Sequence, residues 1–342
     1  MNTIVLQEPG QLVPTHRFDA KAAEGIAHNE ALVRVRRVGI CGTDLHAFKG
    51  EQPFFSYPRV LGHELGVEIA AIGDNADGLR AGDHCAVEPY LNCGACVACR
   101  RGKTNCCSRL QVLGVHADGG LTETLKAPVN KLHKSDSLSL EQLALVEPLS
   151  IGAHAVARAE LERDEFALVV GVGPIGLGVI QFAQLAGARI IALDINEERL
   201  SFAVEHFAVE HTVKAGDDAV KQISDITNGE MPITVFDATG NKRSVESSFN
   251  LVAHGGKLVL VGLFQGDVTF KDSDAHRREL TLLRSRNATG ADFQRVIAHL
   301  EAGKINVNPW ITHRATFAEA IDQFASWLNP KSRFIKAVIE VS

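Results

Sequence analysis

The chain has 342 residues, 45% hydrophobic and 22% charged, with a net charge of −6 and seven cysteines. That length accommodates two domains with substantial cores, and the acidic balance without a long basic run argues against nucleic acid or an anionic membrane as a partner. No apolar run reaches the ~18 residues of a spanning helix, and the opening MNTIVLQEPGQ lacks the apolar core of a secretion signal, so a cytoplasmic protein with reduced cysteines is expected.

From about Leu32 to Leu132, short apolar runs are split by Gly, Pro and Asp turns. In LVRVRRVGI, Val33 and Val35 alternate with Arg34 and Arg36, the period of a half-buried strand. VLGHELGVEIAAIG and HCAVEPYL read as further strands, so this half is mainly β. Cys41 in VGICGTDLH and His63 in VLGHE come from two β-rich segments; Glu64 follows the histidine, and Glu147 stands in LVEPLSIGAH. A cysteine, a histidine and one or two carboxylates make a zinc site that keeps a position open for water or substrate. Taken singly, each has an ordinary role, as a core residue or a helix cap. Farther along, NCGACVACRRGKTNCC places Cys93, Cys96, Cys99 and Cys107 in a C-x2-C-x2-C-x7-C pattern. Four thiolates at about 2.3 Å close a tetrahedral zinc site with no open position, a structural lobe. An odd cysteine count and a reducing compartment weigh against disulfides. Cys106, beside Cys107, could exchange roles with it. A nucleic-acid zinc module would present a basic face, whereas this lobe has only a few positive residues, including Arg100, Arg101 and Lys103.

After Glu162 the rhythm changes. FALVVGVG (166–173), RIIALDI (189–195), ITVFDATG (233–240) and KLVLVGL (257–263) are apolar runs, most of them separated by helix-length segments, which predicts a parallel sheet with crossover helices. Gly171, Gly173 and Gly176 form G-x-G-x-x-G directly after the first run. These glycines permit a tight turn, close approach to a pyrophosphate, and helix packing on the strand, with the helix N-terminus facing the anion. Asp194, 23 residues after Gly171, can accept hydrogen bonds from ribose hydroxyls and would repel a 2′-phosphate, which favours NAD over NADP. The segment after Gly290 is a helix pattern with a tail ending in FIKAVIEV, which could return to complete the first domain.

GICGTDLH, GHE, the cysteine lobe, EPLS and GVGPIG occur in the order seen in the zinc-dependent medium-chain alcohol and polyol dehydrogenases, and the sequence resembles that family along essentially its whole length. The resemblance implies an α/β protein. Residues 1–150, completed by 291–342, would form a GroES-like, mainly β catalytic domain, and 151–290 a Rossmann NAD-binding domain. It further implies two zinc ions per chain, one catalytic and one structural, NAD as cofactor, and a homodimer or homotetramer. Cys41 and His63 match the catalytic zinc ligands, and Glu64 a glutamate that can ligate zinc directly. Glu147 matches an acidic position that can act through the metal's water; which carboxylate is innermost stays open. Asp44 matches an acid that orients His63. Thr43 and His46 match a proton relay from the reacting oxygen to solvent. Ile175, Asp194, Arg199, Val261, Gly262, Leu263 and Asn287 match cofactor contacts. Such a protein passes hydride from an alcohol to nicotinamide, because zinc lowers the pKa of a bound hydroxyl, for water from about 15.7 to about 7.

EQPFFSYPRVLGHE, VLGVHADGG, HGGKLVLVGLF and SRNAT place the resemblance in the sugar-acid and polyol branch. A sugar-acid carboxylate would need a cation or donor, for which Lys49, Arg59, His116 and Arg284 are candidates. Neutral polyols of the sorbitol type and threonine are the competing substrates. A non-catalytic NAD-binding zinc protein is the reading from another class, and it leaves Cys41, Thr43, His46, His63 and Glu147 together without a chemical reason.

Overall fold

The computed structural model describes residues 2–16, 25–53, 55–75, 77–329 and 332–341; Phe54 of the EQPFFSYP stretch lies outside them. Strands β1 (Asn2–Glu8) and β2 (Gln11–His16) form an antiparallel pair. The alternation of LVRVRRVGI sits in β3 (Glu30–Ile40), where Val33 and Val35 are buried and Arg34 is exposed. A register shift between Val35 and Arg37 then changes the phase, so that Val38 rather than Arg37 points inward; an extra residue in one strand of a pair has that effect. The CGTDLH segment is helical, in α1 (Gly42–Lys49), with Cys41 as its N-cap. There follow β4 (Glu64–Ile72), β5 (His84–Val87), β6 (Tyr90–Leu91), β7 (Gln111–Val112), β8 (Thr124–Pro128) and β9 (Leu132–Lys134). HCAVEPYL is therefore two strands rather than one. Its break falls at Glu88 and Pro89, and a proline has no N–H to give a ladder. The two pieces join different sheets, β5 pairing β4 and β9, and β6 pairing β7.

Helix α2 (Val146–Ala159) carries Glu147 in its first turn. Beyond it, β10 (Phe166–Val170), β11 (Arg189–Asp194), β12 (His211–Lys214), β13 (Thr234–Asp237), β14 (Lys257–Leu260) and β15 (Thr281–Arg284) make one parallel sheet in the order β12-β11-β10-β13-β14-β15. This is the doubly wound dinucleotide-binding order, whose direction reverses between β10 and β13. Leu168, Ile191, Val235 and Leu258 are fully buried at the sheet's centre, which explains why these strands read as continuous apolar runs. Strands β12 and β15 add to the four runs named from the sequence. Helices α3 (Pro174–Leu185) and α4 (Glu197–Phe207) follow β10 and β11.

After α5 (Gly290–Glu301), β16 (Ile311–Thr316) and β17 (Lys336–Glu340) return to the first half, where β17 pairs antiparallel with β3 and parallel with β16. The resulting sheet runs β16-β17-β3-β4-β5-β9, with β8 also on β3. The chain divides into one unit of Met1–Pro148 with Thr289–Ser342 and a second of Leu149–Ala288. Among the described residues, no helix is long and apolar enough to cross a membrane.

Candidate metal centres and cofactor site

Ligand atoms of Cys41, His63 and Glu64 lie within 4.8 Å of one another, in the first unit. Cys41 is fixed as the cap of α1, its backbone N–H donating to Asp44 Oδ2 at 2.9 Å. The other oxygen of Asp44 accepts the Gly62 N–H at 3.3 Å and sits 3.6 Å from His63 Nδ1. That last distance is too long for a hydrogen bond, and Nδ1 has no hydrogen-bond partner among the described residues. Asp44 thus acts on His63 through charge. Burial pulls the His63 imidazole pKa down, but the Asp44 and Cys41 charges outweigh it and hold the pKa well above the ordinary value. A partly buried thiol, an under-bonded imidazole and a carboxylate converging on one point suit a divalent cation, whose charge would replace the missing partners.

Glu64 is buried, and both its oxygens are taken by Lys336 Nζ, at 2.6 and 2.8 Å. Lys336 also donates to the Ile40 carbonyl at 3.1 Å and is only 2% exposed. Burial works against its charge, yet the adjacent Glu64 raises its pKa. The carboxylate fits because residue 39 is glycine: a Cβ there would lie 2.2 Å from Glu64 Oε2. Glu147 is buried, and its Oε1 accepts the hydroxyl of buried Tyr90. Burial pushes the Glu147 carboxyl up to about 7, opposed by the His63 charge. Lys336 and Tyr90 are partners that sequence reasoning missed. The available signal for Lys336 was a lone cation inside the apolar FIKAVIEV strand.

The relay candidates are placed differently. Thr43 is partly buried on α1. His46 is exposed, with Nδ1 3.2 Å from Glu51 Oε2. Among the proposed carboxylate binders, Lys49 pairs with Glu51 at 2.7 Å and Arg59 with Asp118 at 3.5 Å, so both already carry a counter-charge. His116 Nδ1 accepts the Val112 N–H, and Arg284 is an exposed residue of the second unit.

In the cysteine lobe, the ligand atoms of Cys93, Cys96, Cys99 and Cys107 lie within 4.8 Å of one another. Two of the S···S separations are 3.5 and 4.0 Å, close to the roughly 3.8 Å edge of a tetrahedron with 2.3 Å arms. Backbone N–H groups of Cys99 and Ser108 hold Cys96 down at about 5, and those of Ala95 and Cys96 hold Cys93 at about 7. Such donors favour thiolates, the form that binds metal. A turn at Thr104–Cys106 leaves Cys106 exposed and turns buried Cys107 inward, where its Sγ accepts the Cys93 and Arg109 N–H groups at 3.3 Å. Cys107→Ser is therefore expected to lose lobe zinc and lower the melting temperature, while Cys106→Ser leaves both unchanged. Metal analysis with thermal melts checks this, and equal metal loss in the two variants would reverse the assignment.

In the second unit, Gly171 has φ +89°, a conformation open to glycine, and turns the chain from β10 into α3. A Cβ on Gly176 would strike the Gly171 carbonyl at 1.9 Å, and one on Gly173 would meet only Arg199 Nη1 at 3.7 Å. Gly176 thus seats the helix, and Gly173 leaves the loop open in front of the α3 N-terminus. Asp194, at the end of β11, accepts the Val172 N–H at 2.7 Å and the Asn196 N–H at 2.9 Å. Its carboxylate braces the glycine loop while keeping acceptor capacity for a diol. Val261 and Gly262 follow β14 and donate to the Asp237 carbonyl at the end of β13. Leu263 is exposed, and Asn287 has a buried Nδ2 without a partner among the described residues. Ile175 lies in the first turn of α3. An open glycine loop, a carboxylate and an orphaned amide at the strand ends suit a dinucleotide.

The alcohol dehydrogenase GroES-like domain model matches residues 27–137, and the zinc-binding dehydrogenase model matches 174–302. The chain belongs to this family, the zinc-dependent alcohol and polyol dehydrogenases. It is 40% identical to L-galactonate-5-dehydrogenase of Escherichia coli K12 over 99% of this chain and 98% of that protein. It is 37% identical to sorbitol dehydrogenase of Bacillus subtilis over 92% of this chain and 91% of that one. Among solved structures, the RspB alcohol dehydrogenase of E. coli CFT073, complexed with NADH, superposes with a TM-score of 0.91 at 28% identity, covering 100% of this chain and 99% of that one.

Proposed function

We propose that this protein oxidises a secondary hydroxyl of a sugar acid to a ketone, passing hydride to NAD, with C5 of L-galactonate as the leading candidate. The observation that carries the reading is the convergence of Cys41, His63 and Glu64, with buried Glu147 feeling the His63 and Glu64 charges, in a chain that also holds the dinucleotide fingerprint. Zinc held by that set would supply the acidity that lets an alcohol give up its proton near neutral pH, and NAD would accept the hydride. The chain's own residues do the rest. Asp44 holds Cys41 by hydrogen bond and His63 by charge. Lys336 neutralises Glu64. The Thr43 hydroxyl offers a first proton acceptor, from which His46, exposed and beside Glu51, delivers the proton to solvent. Asp194 favours the ribose diol over a 2′-phosphate.

The substrate assignment is supported by the 40% identity to the L-galactonate enzyme; the identity to sorbitol dehydrogenase makes a neutral polyol the second reading. The test is kcat/KM with NAD and NADP across aldonates, neutral polyols, threonine and simple alcohols. L-galactonate with NAD is expected to lead. A clear preference for sorbitol or threonine would overturn the substrate, a preference for NADP the role of Asp194, and inactivity toward all alcohols the dehydrogenase reading itself. We place the enzyme in the cytoplasm as a homodimer or homotetramer. The exposed Leu282 on edge strand β15 supports association, and light scattering of the native protein checks it.

A further inference from the structure

We infer that Tyr90 is a positioning residue that aims Glu147 at the metal set of Cys41, His63 and Glu64. The inference rests on the dehydrogenase reading and deepens it. Glu64 and Glu147, two buried glutamates of this region, are held in opposite ways. Glu64 gives both oxygens to a cation, Lys336, which cancels its charge. Glu147 gives Oε1 to a neutral phenol and has no other hydrogen bond among the described residues. Its Oε2 is therefore left without a protein partner among the described residues, free to form a hydrogen bond with a reacting hydroxyl or its water.

Tyr90 is itself immobilised from the opposite side. Its ring stands edge-on to Phe293 at 6.3 Å and 79°, and Phe293 lies over His133 at 5.0 Å and 26°. His133 Nε2 is 3.2 Å from Glu88 Oε2, and the other Glu88 oxygen takes Lys131 Nζ. Glu88, Lys131 and His133 are all buried, at 1%, 6% and 8% exposure, so the ring rests on a fixed polar cluster. A phenylalanine would fill the same space with no hydroxyl to desolvate. Burying a phenol is favourable only where its O–H finds a partner, and here the partner is Glu147.

Tyr90→Phe keeps the ring packing and removes only the donor. The probe is Co²⁺ in place of zinc, whose visible absorption bands report the coordination sphere without any substrate. In the variant, the spectrum of the mixed-ligand cobalt is expected to shift. With zinc and the best alcohol of the panel, kcat is expected to fall about 10–100-fold, the usual range for partners of metal-site groups, with KM within about twofold. In a Glu147→Gln background the same substitution should have no further effect, since Tyr90 acts through that carboxylate. An unchanged spectrum and kcat, or an equal loss in both backgrounds, overturns the role of Tyr90 alone. A wild-type chain that takes up a single cobalt, at the four-cysteine set, overturns the metal-site reading and this inference with it.

Discussion

Replacing Lys336 with methionine is expected to destabilise the metal-free protein by about 3–5 kcal/mol, the usual cost of removing one partner from a buried ion pair. The mechanism is the charge left behind. Glu64 is fully buried, and both its oxygens rest on the Lys336 ammonium; without that cation the carboxylate must either stay ionised in a poorly solvated site or take up a proton. Against a typical total of about 5–15 kcal/mol, the loss is large. Two further measurements separate this from simple cavity formation. Lys336→Met with Glu64→Gln removes both charges and should regain most of the loss in denaturant titrations. Saturating zinc should also recover part of it, because the metal's positive charge can face Glu64 in place of the ammonium; by linkage, the variant then binds zinc more tightly than wild type. A Lys336→Met protein as stable as wild type without metal, or no recovery from Glu64→Gln, would show that the pair is not the source.

His63→Ala is expected to leave a folded protein with one zinc per chain instead of two and to lower kcat/KM by at least about a thousandfold, since the metal is asked to move a hydroxyl pKa by some eight to nine units. The remaining zinc belongs to the four-thiolate lobe, whose ligands come from the separate segment Cys93 to Cys107. Metal analysis and NADH formation on the same sample are the check. Brief chelation of wild type should reproduce the result, removing activity before the fold, because the lobe's zinc is tied to folding free energy. Two zinc ions and near-normal turnover in the variant would contradict the assignment.

What could be read from the sequence follows the range of the interactions. The four lobe thiols fall within fifteen residues, and the glycine fingerprint within six, so spacing alone brings their atoms together. Cys41 and His63 were legible as ligand types, but the helix capped by Cys41 was not, because GTDLHAFK has little amphipathic contrast and is held by the Asp44 cap. The choice between Cys106 and Cys107 depends on one turn at Thr104–Cys106, finer than any spacing rule. Lys336 meets Glu64 across 272 residues, and Tyr90 meets Glu147 across 57. No local period encodes such pairings; the antiparallel registers of β17 and of β4 on β3 together make the first of them. HCAVEPYL failed as a single strand for a local reason, the proline at its centre.

The pairing of β17 with β3 also dictates an order of events during synthesis. The unit of Leu149–Ala288 is continuous in the chain and contains every strand of its parallel sheet, so it can fold as soon as it has left the ribosome. The first unit cannot finish until β17 arrives, some three hundred residues after β3, and contacts of such long range form slowly. Until then Glu64 has no ammonium beside it. Strand β17, made after the other strands described here, thus supplies the balancing charge, so the dinucleotide fold can be complete before the metal pocket is.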